Sequence, residues 1–366
     1  MGCYRLKSFT AIVLLFFLLT CNLSAVEEKN IFGMELVNLS DGGIDGLHSK
    51  AFWQPELDYD VYSNGSFQIS GSISAWFEKR VDILDDSENF NDNASTYRNW
   101  LRLTNKATEL RIGLQRINFG TAQILRPLKW FDNLNYQDIF ERSEGVNAML
   151  FKQFFGNSSS VWLWSVLPED VISDEFSIKD IEQRLEYGGR IQYPFPYIQP
   201  GLSWNYKTLY ANGSDSGREY RFGLDTRFDH FIGMWTETAV FRTDLLDSED
   251  AWMASNTLGM DYTVSIGNGL YLMSETNMNH MGYAGWEAME PQTVTSALAM
   301  TYPLGILDSV IFTILREWKN DHGRYDMLFR RTYDHLGFEI GAGFSSIKSS
   351  GKARDKTLRL SLNYTI

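Results

Sequence analysis

Along most of this chain, apolar and polar residues take turns. The clearest case is Lys356 to Ile366. Leu358, Leu360, Leu362, Tyr364 and Ile366 fall on one side, and Thr357, Arg359, Ser361, Asn363 and Thr365 on the other. Successive side chains of a β-strand point to opposite faces, so the spacing predicts one strand with an apolar and a polar face. Its eleven residues are about what a tilted strand needs to cross a bilayer. An edge strand of a soluble sandwich would alternate just as well. The same pattern recurs upstream. Ile31 to Val37 is a short candidate strand, and Glu56 to Tyr62 places Leu57, Tyr59 and Val61 on one side. Asn64-Gly65 then makes a tight hairpin turn. The return strand carries Phe67, Ile69, Ile73, Ala75 and Phe77 on one face, and Gln68, Ser70, Ser72 and Ser74 on the other.

The connections separate two architectures. Short ones are expected near Asn105-Lys106, Gly156-Asn157, Pro194 to Tyr197, Asp229 to Gly233, Gly267 to Gly269, Pro303 to Asp308 and His335 to Gly337. Longer polar ones fall at Ser40 to Gly46, Asp82 to Thr96, Gly120 to Ser143, Pro168 to Ile181, Ala211 to Gly217, Leu245 to Asp250, Asn279 to Pro291, Lys319 to Gly323 and Lys348 to Asp355. Strict short/long alternation belongs to an up-and-down transmembrane barrel, with short periplasmic turns and longer external loops. Greek-key sandwiches have no reason to alternate in this way. The fold expected is therefore all-β: one antiparallel barrel in a single domain over residues 26–366. Both termini of such a barrel are periplasmic, so the strand number is even. The count is 18 if Ile31 to Val37 is a strand, and 16 if it is not and one other hairpin is misread.

The start of the chain agrees. Arg5 and Lys7 precede an apolar run, Ala11 to Leu19, and small residues follow at Ser24 and Ala25. This is the pattern of a secretory signal peptide over residues 1–25, and the apolar run is too short to span a membrane as a helix. Cys21 raises the alternative of a lipid anchor, although Leu and Thr stand where small residues are wanted. Cys3 and Cys21 are the only cysteines, so the exported chain has none to form disulfides. Mean hydropathy is −0.26, a soluble-looking value. In a barrel only every second residue faces lipid, so the signal averages out. The formal charge is −13, and losing Arg5 and Lys7 with the leader takes it to −15, which disfavours nucleic acid as a partner.

Strand phase assigns charges to the inner face. Arg98, Arg102 and Arg111 oppose Leu101, Leu103 and Ile112. Arg221, Arg330 and Arg359 fall on polar faces, as do Glu56, Asp58, Asp60, Glu186, Arg190, Asp225, Asp261, Glu275 and Asp326. A packed soluble core could not hold so many charges, whereas a water-filled lumen can. About half are expected to brace the wall as cross-strand ion pairs. Trp53, Trp204, Trp235, Trp252 and Trp318 are among the aromatics expected near strand ends, at headgroup level. The final strand, with Tyr364 two residues before the end, resembles the closing strand of bacterial outer-membrane barrels, although Ile366 stands where that family usually has Phe. The resemblance implies a barrel exported to the bacterial outer membrane, surrounded by its lipid and inserted by the barrel-assembly machinery.

One connection is unlike the rest. Residues 110–119 begin as a strand and lose phase near Arg116. The Gly120 to Ser143 stretch is then too apolar for solvent, with Ile124, Leu125, Leu128, Trp130 and Phe131. It is expected to fold inward as a constriction loop; the alternative is a cap on the outer rim. Its G-x-Q-x-x-x-F-G turn (Gly113 to Gly120) and R-P-x-x-W-F-D run (Arg126 to Asp132) resemble a segment of the monomeric, substrate-selective outer-membrane porins, including the alginate-export group. The likeness covers about forty residues, Leu110 to Leu150. The expectation is a channel passing a small or linear hydrophilic, anionic or neutral solute, without enzyme activity or cofactor. Arg126, Lys129 and Asp132 would face the solute beside Arg111 and Gln115, with Arg98, Arg102, Arg221, Arg330 and Arg359 along its path. Two alternatives are a lipase-like barrel enzyme, for which Ser274 with His280 is the loose candidate, and a barrel sheathing a periplasmic electron carrier. The five histidines have no metal-ligand spacing.

Overall fold

The computed structural model describes residues 25–41, 44–84, 87–131, 145–167, 183–211, 214–245, 249–283, 285–347 and 356–366. The signal-peptide and Cys21 expectations, apart from Ala25, lie outside them, as does Asp132. Eighteen strands form one sheet: β1 (Ala25–Asp41), β2 (Ile44–Ser63), β3 (Phe67–Leu84), β4 (Ser87–Asn105), β5 (Thr108–Gln115), β6 (Val146–Phe154), β7 (Ser160–Val166), β8 (Gln183–Gln192) and β9 (Gly201–Ala211) make up the first half. β10 (Ser214–Asp229), β11 (Gly233–Leu245), β12 (Ala251–Val264), β13 (Leu270–Tyr283), β14 (Glu290–Pro303), β15 (Asp308–Glu317), β16 (His322–Thr332), β17 (Leu336–Ile347) and β18 (Lys356–Thr365) follow. Each strand pairs antiparallel with its sequence neighbours, and β1 pairs with both β2 and β18. The sheet is thus closed and has no free edge. The count of 16 falls, because the segment around Ile31 to Val37 is the middle of β1.

Alternation decides which way each residue points. On β18 the exposed apolar residues are Leu358, Leu360, Leu362 and Tyr364, while Ser361 between them is 4% exposed. On β3, Ser70, Ser72 and Ser74 are buried inside and Phe77 is exposed outside. The wall therefore shows its apolar face outward and its polar face inward, as a barrel in lipid does.

Two expectations need correction. The polar stretches at 40–46, 82–96 and 279–291 are mostly strand. β3 and β4 stay in register to Leu84↔Ser87, and β1 and β2 to Asp41↔Ile44. β13 and β14 pair from Met281↔Glu290 onward. A ladder that stands clear of the bilayer needs no apolar outer face, so backbone pairing continues where hydrophobic alternation fades. For the same reason Trp53 lies within β2 rather than near its end. It stacks outside the barrel between Phe32 and Phe77, at ring separations of 6.1 and 5.1 Å.

Candidate functional site

β5 stops at Gln115, and residues 116–131 leave the wall as a succession of turns. Their backbone N–H groups need acceptors. Two side chains supply six. Glu237 on β11 accepts from Thr121 (2.8 Å), Ala122 (2.9 Å) and Leu128 (2.6 Å). Glu275 on β13 accepts from Gln123 (2.6 Å), Ile124 (2.9 Å) and Leu125 (2.6 Å). The Leu125 carbonyl in turn accepts from the Thr257 hydroxyl on β12 (2.6 Å), and the Trp235 indole N–H donates to Glu275 (2.9 Å). Glu237 and Thr257 are 0% exposed and Glu275 is 1% exposed, while Met234, Leu258 and Met278 on the opposite faces are exposed. The anchors therefore point inward. The segment starts at β5, returns to β6, and is held against β11–β13, so in a closed ring it reaches across the interior. Charged acceptors suit this task, because each carboxylate can satisfy several amide donors and is itself satisfied while buried.

Small residues make the approach feasible. Gly120 has φ +99°, and a Cβ there would lie 2.4 Å from a Glu237 carboxylate oxygen. Any other residue would be strained and would push the segment off its anchor. Gly223 on β10 leaves a notch in the wall, where a Cβ would lie 2.3 Å from Leu128. Leu128 is 1% exposed and belongs to a cluster with Ile117, Phe119, Phe131, Ala148, Leu150, Trp164, Val166 and Ala239. Phe119 stacks on Trp164 at 5.3 Å, and Phe131 meets the same ring edge-on at 5.6 Å. This part of the interior is a packed apolar core.

Beside that core lies a buried polar group. Arg190 on β8 grips Asp225 on β10 with two parallel hydrogen bonds (2.5 and 2.9 Å) and also donates to Ser203 (3.0 Å). Asn205 links Trp164 (2.8 Å) to Glu186 (2.6 Å). On the other side of the segment a cavity of ≈ 360 Å³ lies between its tip, Leu125 to Pro127, and the wall of β12–β16. Ser255, Asn277, Asn279 and Thr295 line it with Glu317, His322 and Arg324.

The expected site residues divide into three groups. Arg102 and Arg111 meet directly across β4 and β5, flanking Trp100 at 5.5 and 4.8 Å, and Arg98 lies on the same strand face as Arg102. Arg102 donates to Ser70 (3.1 Å), Arg111 pairs with Glu109 (2.8 Å), and Arg98 covers the Tyr97 ring at 3.9 Å. Arg126 lines the cavity and donates to Asn118 and to the Phe119 carbonyl (3.2 Å), with Lys129 on the same turn. The remaining arginines are engaged elsewhere. Arg221 pairs with Glu219 and donates to the Trp130 carbonyl (3.2 Å), so it too holds the segment. Arg330 pairs with Glu339 (2.6 Å) and Arg359 with Glu35 (2.5 Å). Gln115 requires correction. It is 0% exposed, and its amide donates to the Ala148 carbonyl (2.8 Å). It closes the end of the β5–β6 pair and does not face the interior space.

Sequence phase placed Asp225, Glu275, Glu186 and Arg190 inside but gave them no task, and it did not single out Glu237. The alternation Trp235-Glu237-Ala239 carried that signal, a carboxylate between two apolar inward residues. Ser274 and His280 share one strand and one face, outward on β13, six positions and roughly 20 Å apart. They cannot exchange a proton directly.

No family model matches the sequence, and no curated protein matches it. Solved structures match in shape. OccK7 (OpdD) of Pseudomonas aeruginosa superposes with a TM-score of 0.60 at 11% identity, covering 93% of this chain and 99% of that one. OccK5 (OpdH) of the same organism gives 0.59 at 11%, over 95% and 99%. OccAB4 of Acinetobacter baumannii gives 0.56 at 10%, over 94% and 99%. The chain thus has the fold of the outer-membrane porin barrels, as its closing strand and its Leu110 to Leu150 segment suggested.

Proposed function

We infer that the protein is an outer-membrane channel for passive passage of a small or linear hydrophilic solute, with residues 116–131 setting its constriction. The observation that carries this reading is the pair of buried carboxylates, Glu237 and Glu275, that pin a crossing segment to the far wall. A sheath for a protein-sized electron carrier would need that space open. The passage left runs between the segment tip and the wall, where Arg126 and Arg324, with Glu317 and His322, meet hydroxyl and amide side chains. Arg98, Arg102 and Arg111 add a second group of cations on β4 and β5. Guanidinium forks favour a carboxylate-bearing solute, and a charge in a narrow pore acts more strongly than one in bulk water.

Planar-bilayer recordings test both parts. Discrete conductance steps are expected, with anion-selective reversal potentials in a salt gradient. Cation selectivity would overturn the acidic-solute part. Deleting residues 121–131 should raise conductance and weaken selectivity while the barrel still changes gel migration on boiling. Unchanged currents in that deletion would remove the segment from the solute path. Uptake into liposomes, screened over acidic and neutral sugars, amino acids and fatty acids, would identify the solute class.

A further inference from the structure

The wall facing the segment tip carries a histidine that the arginine pattern does not account for. On β16, Leu328 is 4% exposed and inside, while Met327 is 53% exposed and outside. His322, Arg324 and Asp326 share the phase of Leu328 and therefore point inward. His322 stands directly opposite Glu317 on β15, and Glu317 stands opposite Thr295 on β14. Side chains opposite each other share a face, with Cβ atoms about 4.5–5.5 Å apart. All three line the cavity of ≈ 360 Å³ together with Arg126 and Arg324. His322 is half-buried there and has no hydrogen-bond or ion-pair partner among the described residues. The other four histidines are placed elsewhere. His48 bonds to Asp82 (2.6 Å), and His230 stacks on Tyr197 at 6.0 Å. His280 points outward on β13, and His335 bonds to the Thr365 carbonyl (3.0 Å).

The charges around this imidazole come from three elements. Glu317 faces it across the β15–β16 pair and accepts from Asn320. Arg324, two positions on along β16, pairs with Asp326 (2.8 Å). Arg126 faces both from the segment tip. The neighbouring strands add only neutral groups to the cavity: Ser255, Asn277, Asn279 and Thr295 on β12–β14. On β17, Ser345 lies opposite Arg324. In the turn before β16, Asp321 pairs with the outward Arg316, and Lys319 is exposed. With His322 neutral, Arg126 and Arg324 are balanced in formal charge by Glu317 and Asp326. A proton on His322 tips that balance. Histidine is the side chain that ordinarily gains its proton between about pH 8 and about pH 5.

We propose that His322 is a specificity-determining residue of the passage, and that its protonation moves the passage toward anions. When the imidazole is neutral, Glu317 opposes the arginines across the gap, and anions and cations meet a balanced field. When it is protonated, it offsets Glu317 from the adjoining strand, and the arginines act on the solute without that opposition. One added charge matters here because the gap is narrow and lined by protein, where a charge is screened less than in bulk water. Arg98, Arg102 and Arg111 on β4 and β5 keep their charge throughout, so the proton alters the degree of anion preference and not its presence. The direction is fixed: the preference is highest at acid pH and declines as pH rises. The solute class this selects is a carboxylate-bearing one, since a neutral sugar is indifferent to the step. The proposal rests on the channel reading, with the gap at the segment tip as its solute path.

The test is the reversal potential in a potassium chloride gradient, recorded in planar bilayers at steps from about pH 8 to about pH 5. It uses the full barrel, with heat-dependent gel migration as the check that each variant is folded. The parent should show a severalfold rise in the chloride-to-potassium permeability ratio as pH falls. His322→Gln should lose that step and hold the parent's alkaline ratio throughout. His322→Lys should hold the parent's acid ratio even at the alkaline end. Glu317→Gln should raise the ratio at the alkaline end, where Glu317 is the charge being offset. A flat ratio in the parent, or the full step retained in folded His322→Gln, would overturn the proposal and leave the channel reading standing. The absence of discrete currents from folded parent at every pH would overturn both.

Discussion

Replacing Glu237 by alanine should free one end of the crossing segment while leaving the barrel closed. The carboxylate accepts three backbone N–H bonds, at 2.6, 2.8 and 2.9 Å. Each buried donor left without an acceptor costs about 1–3 kcal/mol, so the ceiling is roughly 9 kcal/mol. Lumen water can reach the partly exposed Thr121 end but not Leu128, so about 3–5 kcal/mol is expected. At 1.4 kcal/mol per factor of ten, 3 kcal/mol already shifts the docked-to-released ratio by over a hundredfold. Glutamine should lie between. It keeps one oxygen but turns an amide N–H₂ toward the third donor. Single-channel recordings read this directly: higher open-channel noise and altered mean conductance for Glu237→Ala, and a smaller change for Glu237→Gln. The ladder of β11 does not involve the side chain, so gel migration before boiling should match the parent. Parent-like conductance and noise in folded Glu237→Ala, and again in Glu275→Ala, would refute the claim that these carboxylates hold the segment.

Three further outcomes follow from the same geometry. Gly223→Val fills the notch that receives Leu128 and should change conductance in a folded barrel; an unchanged channel would mean that Leu128 is not seated there. Arg102→Ala with Arg111→Ala should move the reversal potential toward cation selectivity, and no movement would take both out of the solute path. Arg190→Ala strands the buried Asp225 carboxylate, at a cost of about 3–5 kcal/mol, and should lower the temperature at which the folded gel band is lost; Arg190→Lys should restore only part, since one ammonium cannot reproduce the two-pronged grip.

Fold and site were not equally readable from sequence. Closure, strand parity and the inward phase of most charged residues follow from a period of two, because water lies on one side of the wall and lipid on the other. Where that contrast ends, so does the signal. The ladder from Asp82↔Asn89 to Leu84↔Ser87 continues the backbone pairing where the polar/apolar alternation has faded, so it reads as loop. The inward segment shows a related limit. Its apolar content marked it as not solvent-exposed, but the carboxylates that anchor it lie more than a hundred residues away, and nothing local to Gly120 points to Glu237 or Gly223. Gln115 failed for another reason. Alternation places it inward, but the wall at that point is covered by the chain's own segment, so inward there means into a core.

That core has a mechanical consequence. An empty tube of paired strands can flatten at little cost, since ovalisation only changes the angles between neighbours. Here Phe119 and Leu128 bear on Trp164 and Leu150 at one side and on Ala239 at another, while Glu237 and Glu275 fasten the far end. The segment therefore acts as a spoke, fixing one diameter of the ring against lateral pressure from the bilayer. It can be set only after the wall has curved far enough to bring β6–β7 opposite β11–β13. Rigidity of the cross-section should accordingly be the last property the molecule acquires as it assembles, and the first it gives up when the segment is released.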